Sequence, residues 1–374
     1  MFIHWFEYDN WTTKQKIKRI HFDQLNLLVG VSGAGKTQIL KVLSTYVKAV
    51  VKGDTIPCAG RFSMCFSIDA LQKKESPTSH ENLIWAIETK KLFYKSDGNS
   101  GYEISNESLT GSDGTVIFFR TEQGLNIEGK GLPQLALDKS VLNVFLSDVQ
   151  ASFSKVASLF RQMKGVEDVP RDYAEEQIKQ WEANKYGDLL LAKLKTRLSQ
   201  YPILLSIFLA KKFAPALYCD FLDALQSSFP YVEDVLTSDK AGREKSELAI
   251  WQDHTWVGKS DISGGMLKAI YVLATSCFWP DGSVILLDEL ENALGVNCLD
   301  DIVDYICIKS AENHQQFILT SHHPYIINHI PVTNWHIISQ THGIIDSKLA
   351  EEVNIGKEYN KQELFFQLLN YLRG

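Results

Sequence analysis

The segment Gly30-Val31-Ser32-Gly33-Ala34-Gly35-Lys36-Thr37 constrains this chain more than any other. Before it stands Leu25–Val29, a largely apolar run; after it Ile39, Leu40, Val42 and Leu43 fall at helical spacing. A glycine loop between a buried strand and a helix lets the backbone wrap with its N–H groups turned inward. It does so at a helix N-terminus whose dipole already favours anions. The form G-x-x-x-x-G-K-T adds a lysine that reaches the outer phosphates of a nucleoside triphosphate and a threonine hydroxyl that takes Mg2+. The spacing therefore predicts Gly30, Val31, Ser32, Gly33, Ala34, Gly35, Lys36, Thr37 and Gln38 as the residues that hold ATP.

Three further segments carry chemistry. Val284-Ile285-Leu286-Leu287 reads as a central buried strand that delivers Asp288 and Glu289 at its C-terminal edge, where ligands sit in open α/β sheets. Asp288 is predicted to hold Mg2+ beside Thr37, and Glu289 to polarise the attacking water. Ile262-Ser263-Gly264-Gly265 opens a helix with a serine and two glycines, a second anion-binding helix start. Phe317-Ile318-Leu319-Thr320 is another buried strand, and it ends in Ser321-His322-His323-Pro324.

Together these segments resemble the ABC-type ATPase superfamily, whose signature is L-S-G-G-Q; here Ile262 replaces the leucine and Met266 the glutamine. The resemblance implies that Ser263, Gly264 and Gly265 face the phosphate loop of a second copy, so that two ATP molecules are sandwiched in a dimer. It also implies that His322 is the switch histidine that contacts the γ-phosphate, with His323 its neighbour. Asp288 to Gly295 resembles the family's D-E-P-x-S-A-L-D run, with Leu290, Asn292 and Gly295 departing from it. The contacts of the final aspartate therefore do not carry over to Gly295. Glu291 matches a second acidic residue of RecF-like and OLD-like members, to which the resemblance assigns no role. For the family's glutamine loop the sequence offers only Gln150.

The chain has 374 residues, enough for two domains or for one with an insertion. The fold class expected is α/β, an ABC-type P-loop ATPase head with a parallel core sheet, an antiparallel β meander and an inserted helical lobe. The N-terminal part of the head is expected over 1–139, the lobe over 140–250 and the C-terminal part over 251–374. Strands are predicted at 2–8, 15–22, 62–68, 83–89, 102–109 and 115–120, with turn chemistry at 96–99 and 111–114. Helical spacing covers much of 140–228, interrupted at Gly187 and broken at Pro215. That region reads either as a compact lobe or as an oligomerisation or partner-docking arm. Residues 334–349 read as a hairpin turning at His342-Gly343, and 361–372 as a closing amphipathic helix.

A formal net charge of −7 gives the chain no general attraction for polyanions. Lys14, Lys16, Lys18 and Arg19 form a local basic cluster, read as the solvated face of an edge strand or as a nucleic-acid backbone contact. The six cysteines include no CxxC pair, which fits reduced thiols in a cytoplasmic protein. Residues 1–10 contain Glu7 and Asp9 and lack the apolar core of a signal peptide, and no run is long enough for a membrane span.

The interval between Lys36 and Ser263 is longer than in transporter ATPases and too short for the coiled-coil arms of SMC proteins. Its pattern resembles the compact bacterial "AAA family" ATPases of anti-phage defence operons, such as those of the PARIS and Septu systems. One reading is a sensor or scaffold that dimerises around ATP and controls an effector such as a toprim or HNH nuclease. The other is a RecF-like or SMC-like repair ATPase that clamps nucleic acid itself.

Overall fold

The computed structural model describes residues 1–68, 82–91, 102–133, 135–159, 169–186, 189–238, 245–312 and 315–352. Strands β1 (Phe2–Asn10), β2 (Gln15–His21) and β3 (Leu25–Val29) open the chain, and α1 (Lys36–Val51) follows the glycine loop. The meander comprises β4 (Gly60–Ser67), β5 (Leu83–Lys91), β6 (Tyr102–Gly111), β7 (Val116–Thr121), β8 (Gly124–Ile127) and β9 (Lys130–Leu132). Helices α2 (Val141–Val144) and α3 (Ser147–Phe153) then lead into β10 (Val156–Leu159). After β11 (Val169–Pro170) comes a helical stretch: α4 (Arg171–Ala183), α5 (Leu191–Leu198), α6 (Ile203–Phe213) and α7 (Pro215–Ser228). Strands β12 (Asp234–Ser238), β13 (Lys245–Gln252) and β14 (Thr255–Gly258) precede α8 (Gly264–Phe278). The chain continues through β15 (Val284–Leu287), α9 (Val296–Glu312), β16 (Gln316–Thr320), α10 (Pro324–His329), β17 (Trp335–Thr341) and β18 (Ile344–Leu349).

One large sheet runs β10-β15-β16-β3-β17-β18-β2-β1-β4-β5-β6-β7-β8-β9. Its first five strands pair in parallel, and the meander beyond β2 is antiparallel throughout. Alternate residues of the parallel strands feed two different cores. Leu25, Leu27, Val29, Ile285, Leu287, Phe317 and Leu319 pack with the helices α5 to α9. Leu28, Val284, Leu286 and Ile318 pack with α1 and the first meander strands. Strands covered on both faces must be apolar at nearly every position, which is why these runs read as continuous rather than alternating. The fold is the α/β head expected from the sequence, with its parallel strands ending at one edge.

Several local expectations are corrected. The 140–228 stretch is not wholly helical: β10 pairs in parallel with β15 inside the large sheet, and β11 pairs with β13. A four-residue buried strand has too few positions for a period to declare itself. Strand β2 lies between β18 and β1, so its basic cluster is not on an edge. Two of those charges are engaged: Lys18 Nζ lies 2.6 Å from Asp346, and Arg19 pairs with Glu7 at 3.2 Å and stacks over Trp5. The lobe packs compactly, since Leu204, Leu205, Ile207, Phe221 and Leu225 share one core with α8 and β15. The turn at His342-Gly343 forms with both residues at positive φ, the geometry that favours two-residue hairpins. Expectations at 96–99, at Gly187 and over 361–372 fall outside the described residues. Among the described residues no helix is long and apolar enough to cross a membrane.

A buried polar tie fixes the strand before the glycine loop. His336 of β17 donates through Nε2 to Asn26 Oδ1 of β3 at 3.0 Å, and Ser347 Oγ donates to its Nδ1 at 3.4 Å. Asn26 Nδ2 donates onward to the carbonyls of Asp23 and Phe317, at 2.6 and 3.0 Å. Burial pushes His336 down from 6.5 to about 4, against a smaller opposing pull from Asp23. Between pH 4 and 6.5 the unfolded chain binds the proton and the native one does not, so stability falls as pH drops through that window. At pH 5 the loss from this residue is about 2 kcal/mol. Thermal melts of wild type and His336→Gln at pH 7 and pH 5 check it: the wild type should lose more stability on acidification than the variant. Equal losses would remove His336 as the cause.

Candidate nucleotide site

The loop after β3 bends through Gly33 and Gly35, whose φ angles of 85° and 95° lie in the left-handed region. Two of its glycines also meet close neighbours. A Cβ on Gly30 would lie 2.4 Å from the carbonyl oxygen of Ile338, and one on Gly35 2.3 Å from Cδ1 of Ile345. The β17 backbone thus leaves no room for a side chain at Gly30, while at Gly35 the Ile345 side chain of β18 would have to shift and the left-handed φ already favours glycine. Within the loop, Lys36 Nζ donates to the carbonyls of Gly30 at 2.7 Å and Val31 at 3.1 Å. Burial lowers the Lys36 pKa, while Glu291, then Glu289 and Asp288, pull it back up. At α1's start Gln38 Nε2 donates to Gln15 Oε1 at 2.5 Å.

Strand β15 brings Asp288 to the same edge. Asp288 is only 3% exposed, and its Oδ1 accepts from Thr37 Oγ1 at 2.9 Å and from Thr320 Oγ1 at 2.8 Å. Thr320 Oγ1 in turn accepts from the Glu289 backbone N–H at 2.7 Å, and the Thr320 carbonyl accepts from Leu290 N–H at 3.1 Å. The in-register parallel pairing of Leu287 with Leu319 sets Asp288 and Thr320 side by side. Beyond them Glu289 and Ala293 adopt positive φ, 46° and 69°, which turns the chain sharply away from the strand.

The Thr37 and Asp288 oxygens also fit the magnesium ion that such a fold implies. A threonine hydroxyl and a buried carboxylate, hydrogen-bonded to each other at 2.9 Å, are the hard oxygen donors that would hold it. No group of three or more His, Cys, Asp or Glu residues able to hold a metal occurs among the described residues.

Ser263 caps α8, its Oγ accepting from Met266 N–H at 3.2 Å. A Cβ on Gly265 would lie 2.3 Å from the Ala293 carbonyl oxygen, so the helix start is pressed against the turn that follows Glu289. Lys268, one turn further, donates from Nζ to the Glu289 carbonyl. Burial lowers its pKa to about 8, against the opposing charges of Glu291, Asp288 and Glu289. After β16, His322 and His323 diverge. His322 has Nδ1 2.9 Å from Glu291 Oε1 and its ring 65% exposed, whereas His323 caps α10 by accepting Tyr325 N–H at Nδ1.

A cavity of about 740 Å3 gathers these groups. Every residue from Gly30 through Gln38 lines it, together with Glu289, Thr320, Ser321, His322 and Pro324, and with Gln15, Lys41 and Gln340. Asp288 sits beneath it, bonded to two of the lining threonines. Ser263, Gly264 and Gly265 do not line it, and Ser263 and Gly264 are exposed. Gln150 is not there either: its amide donates to the carbonyls of Val50 and Val51 at the far end of α1, at 3.4 and 3.3 Å. A helix of 16 residues spans about 24 Å, so Gln150 is not a glutamine-loop residue. The strand that does end beside Asp288 is β10, whose Leu159 carbonyl accepts Asp288 N–H at 3.0 Å. Sequence reading also passed over Thr320, whose only signal was a threonine closing an apolar strand, and the inward turn of Lys268.

A glycine loop between β3 and α1, a buried aspartate closing a parallel strand, and a β meander continuing the same sheet give the chain the fold of an SMC-type ATPase head. Solved structures share the fold. An SMC head bound to the C-winged helix domain of ScpA is 12% identical, with 93% of this chain and 98% of that one covered and a TM-score of 0.53. An SMC head with an extended coiled coil, bound to the C-terminal domain of ScpA derived from Pyrococcus furiosus, is 14% identical, with 94% and 97% covered and a TM-score of 0.54. The chain belongs to the family described as "AAA domain, putative AbiEii toxin, Type IV TA system", which it matches over residues 68–328. That span holds Ser263 to Gly265, Asp288, Glu289 and His322, and the glycine loop precedes it. No curated protein matches the sequence.

The Thr320 hydroxyl both donates to Asp288 and accepts from Glu289 N–H, so its removal leaves two buried groups short of a partner. Thr320→Val should cost about 2 to 3 kcal/mol, and Thr320→Ser should restore most of it. Urea unfolding of both variants measures this. A valine variant within about 0.5 kcal/mol of wild type would show that the network does not hold the strand ends together.

Proposed function

We propose that the chain binds ATP with Mg2+ on the loop from Gly30 to Gln38 and hydrolyses it. In this reading Lys36 leaves the loop carbonyls for the outer phosphates, and the inward N–H groups of the loop bind the remaining phosphate oxygens. The ion is held by Thr37 and Asp288 and supplies charge neutralisation to the phosphates. Glu289 orients the attacking water and takes its proton, and His322 addresses the terminal phosphate. The observation that carries this reading is the joining of Thr37 and Thr320 through one Asp288 oxygen, under a cavity that Lys36, Glu289 and His322 all line.

The site is half of a larger one in this reading. Ser263 and Gly264 stand exposed at the start of α8, outside the cavity of their own chain. ATP would close two copies face to face, each capping the other's nucleotide with Ser263 to Gly265. Residues 1–139 and 251–374 form the head, with 140–250 inserted except for β10. The closed dimer is a cytoplasmic sensor or scaffold that controls an effector, such as a nuclease, in anti-phage defence. The family description, with its toxin and type IV TA system, supports that setting. A net charge of −7 and the pairing of Lys18 and Arg19 with acids favour it over direct clamping of nucleic acid.

Glu289→Gln keeps the size of the side chain and removes its ability to take a proton. Its rate of phosphate release should fall about 100-fold or more, while ATP still binds. A variant that releases phosphate as fast as wild type would take Glu289 out of the role of base.

A further inference from the structure

The carboxylate of Glu291 is placed unlike the other acids of the site. Its side chain is only 10% exposed, and Oε1 accepts the backbone N–H of His322 at 3.1 Å and lies 2.9 Å from the ring Nδ1 of the same residue. Oε2 is buried and has no hydrogen-bond partner among the described residues. Glu291 is also the strongest charge acting on both Lys36 and Lys268. It lies two residues beyond Glu289, past the left-handed turn, and so reaches the loop after β16 from the loop after β15. The His322 ring itself is 65% exposed and lines the cavity, so little else restrains it.

We propose that Glu291 is the positioning residue for His322. A carboxylate that holds both the main chain and Nδ1 fixes where the ring stands, which face it turns, and which nitrogen carries its proton. With Nδ1–H committed to Glu291, Nε2 is the nitrogen left for a terminal phosphate. Glu291 therefore orders a histidine that would otherwise swing freely on the cavity rim. The same carboxylate is the charge that Lys36 and Lys268 feel most, which ties the loop after β15, the glycine loop and α8 to one acid.

This inference rests on the hydrolytic reading above, and two measurements keep their failures apart. The first is a double-mutant cycle on ATP turnover with Glu291→Ala and His322→Ala. Glu291→Ala should lower kcat by about 10- to 100-fold, the loss expected when a reacting group is misplaced by about an ångström, with KM changed less than about twofold. In the His322→Ala background the same change should have almost no further effect, and Glu291→Gln, which retains an acceptor oxygen, should recover part of the loss. Equal losses in both backgrounds, or no loss in the first, overturn the proposal. The second measurement does not need turnover: nitrogen NMR of histidine-labelled protein reads which His322 nitrogen is protonated. Without nucleotide the proton should reside on Nδ1 in wild type and redistribute toward Nε2 in Glu291→Ala. An unchanged His322 pattern overturns the proposal even in a chain that hydrolyses nothing, whereas a wild type without turnover but with the expected shift overturns only the hydrolytic reading.

Discussion

The Asp288 carboxylate, 3% exposed and accepting two threonine hydroxyls on one oxygen, is the interaction on which the rest of the site depends. A buried carboxylate is costly unless hydrogen-bonded, and here its donors come from two other elements. Thr37 opens the helix after the glycine loop and Thr320 closes β16, so a single oxygen locks α1, β15 and β16 at one edge. Thr320 then passes the restraint on to the backbone of Glu289. Main-chain contacts thus help to set the position of the proposed base, whose residue lines the cavity.

Around this lock the charges nearly balance. Lys36 and Lys268 are both buried enough to lower their pKa, and Asp288, Glu289 and Glu291 act against that loss. Lys268, brought down to about 8, still carries its charge at neutral pH and spends it on the Glu289 carbonyl. Two glycines make the arrangement sterically possible. Gly265 lets α8 press on the Ala293 carbonyl, and Gly30 lets the loop lie against Ile338. In the proposed reading a nucleotide entering the cavity would meet a lysine already pointed into the loop, held by carbonyls that a phosphate could replace.

Motifs fixed by local geometry were legible in the sequence, and long-range pairing was not. Leu25–Val29 and Val284–Leu287 read as buried strands because every residue is apolar enough to be covered on both faces, save Asn26. Asn26 signals the opposite of a core position, and only the partner on β17, His336, shows why it is tolerated. Val156–Leu159 was hidden in a helical stretch because four residues show no period, yet it forms the outer parallel strand beside Asp288. Gln150, the glutamine the sequence offered, stands at the wrong end of α1. The Glu291 pairing with His322 joins residues far apart in sequence, and no spacing rule relates them.

The proposed sharing of the site rests on the exposed Ser263 and Gly264, which lie outside the cavity that their own Lys36 lines. A site shared between two copies is open to complementation by mixing. Lys36→Ala removes the phosphate lysine and Ser263→Arg blocks the serine that would act across the dimer, so each variant alone should be inactive. In a mixed dimer one site combines both defects and the other has neither. Random pairing of equal amounts should therefore restore about a quarter of the wild-type ATP turnover. A mixture no more active than the sum of its separate components would contradict the shared site.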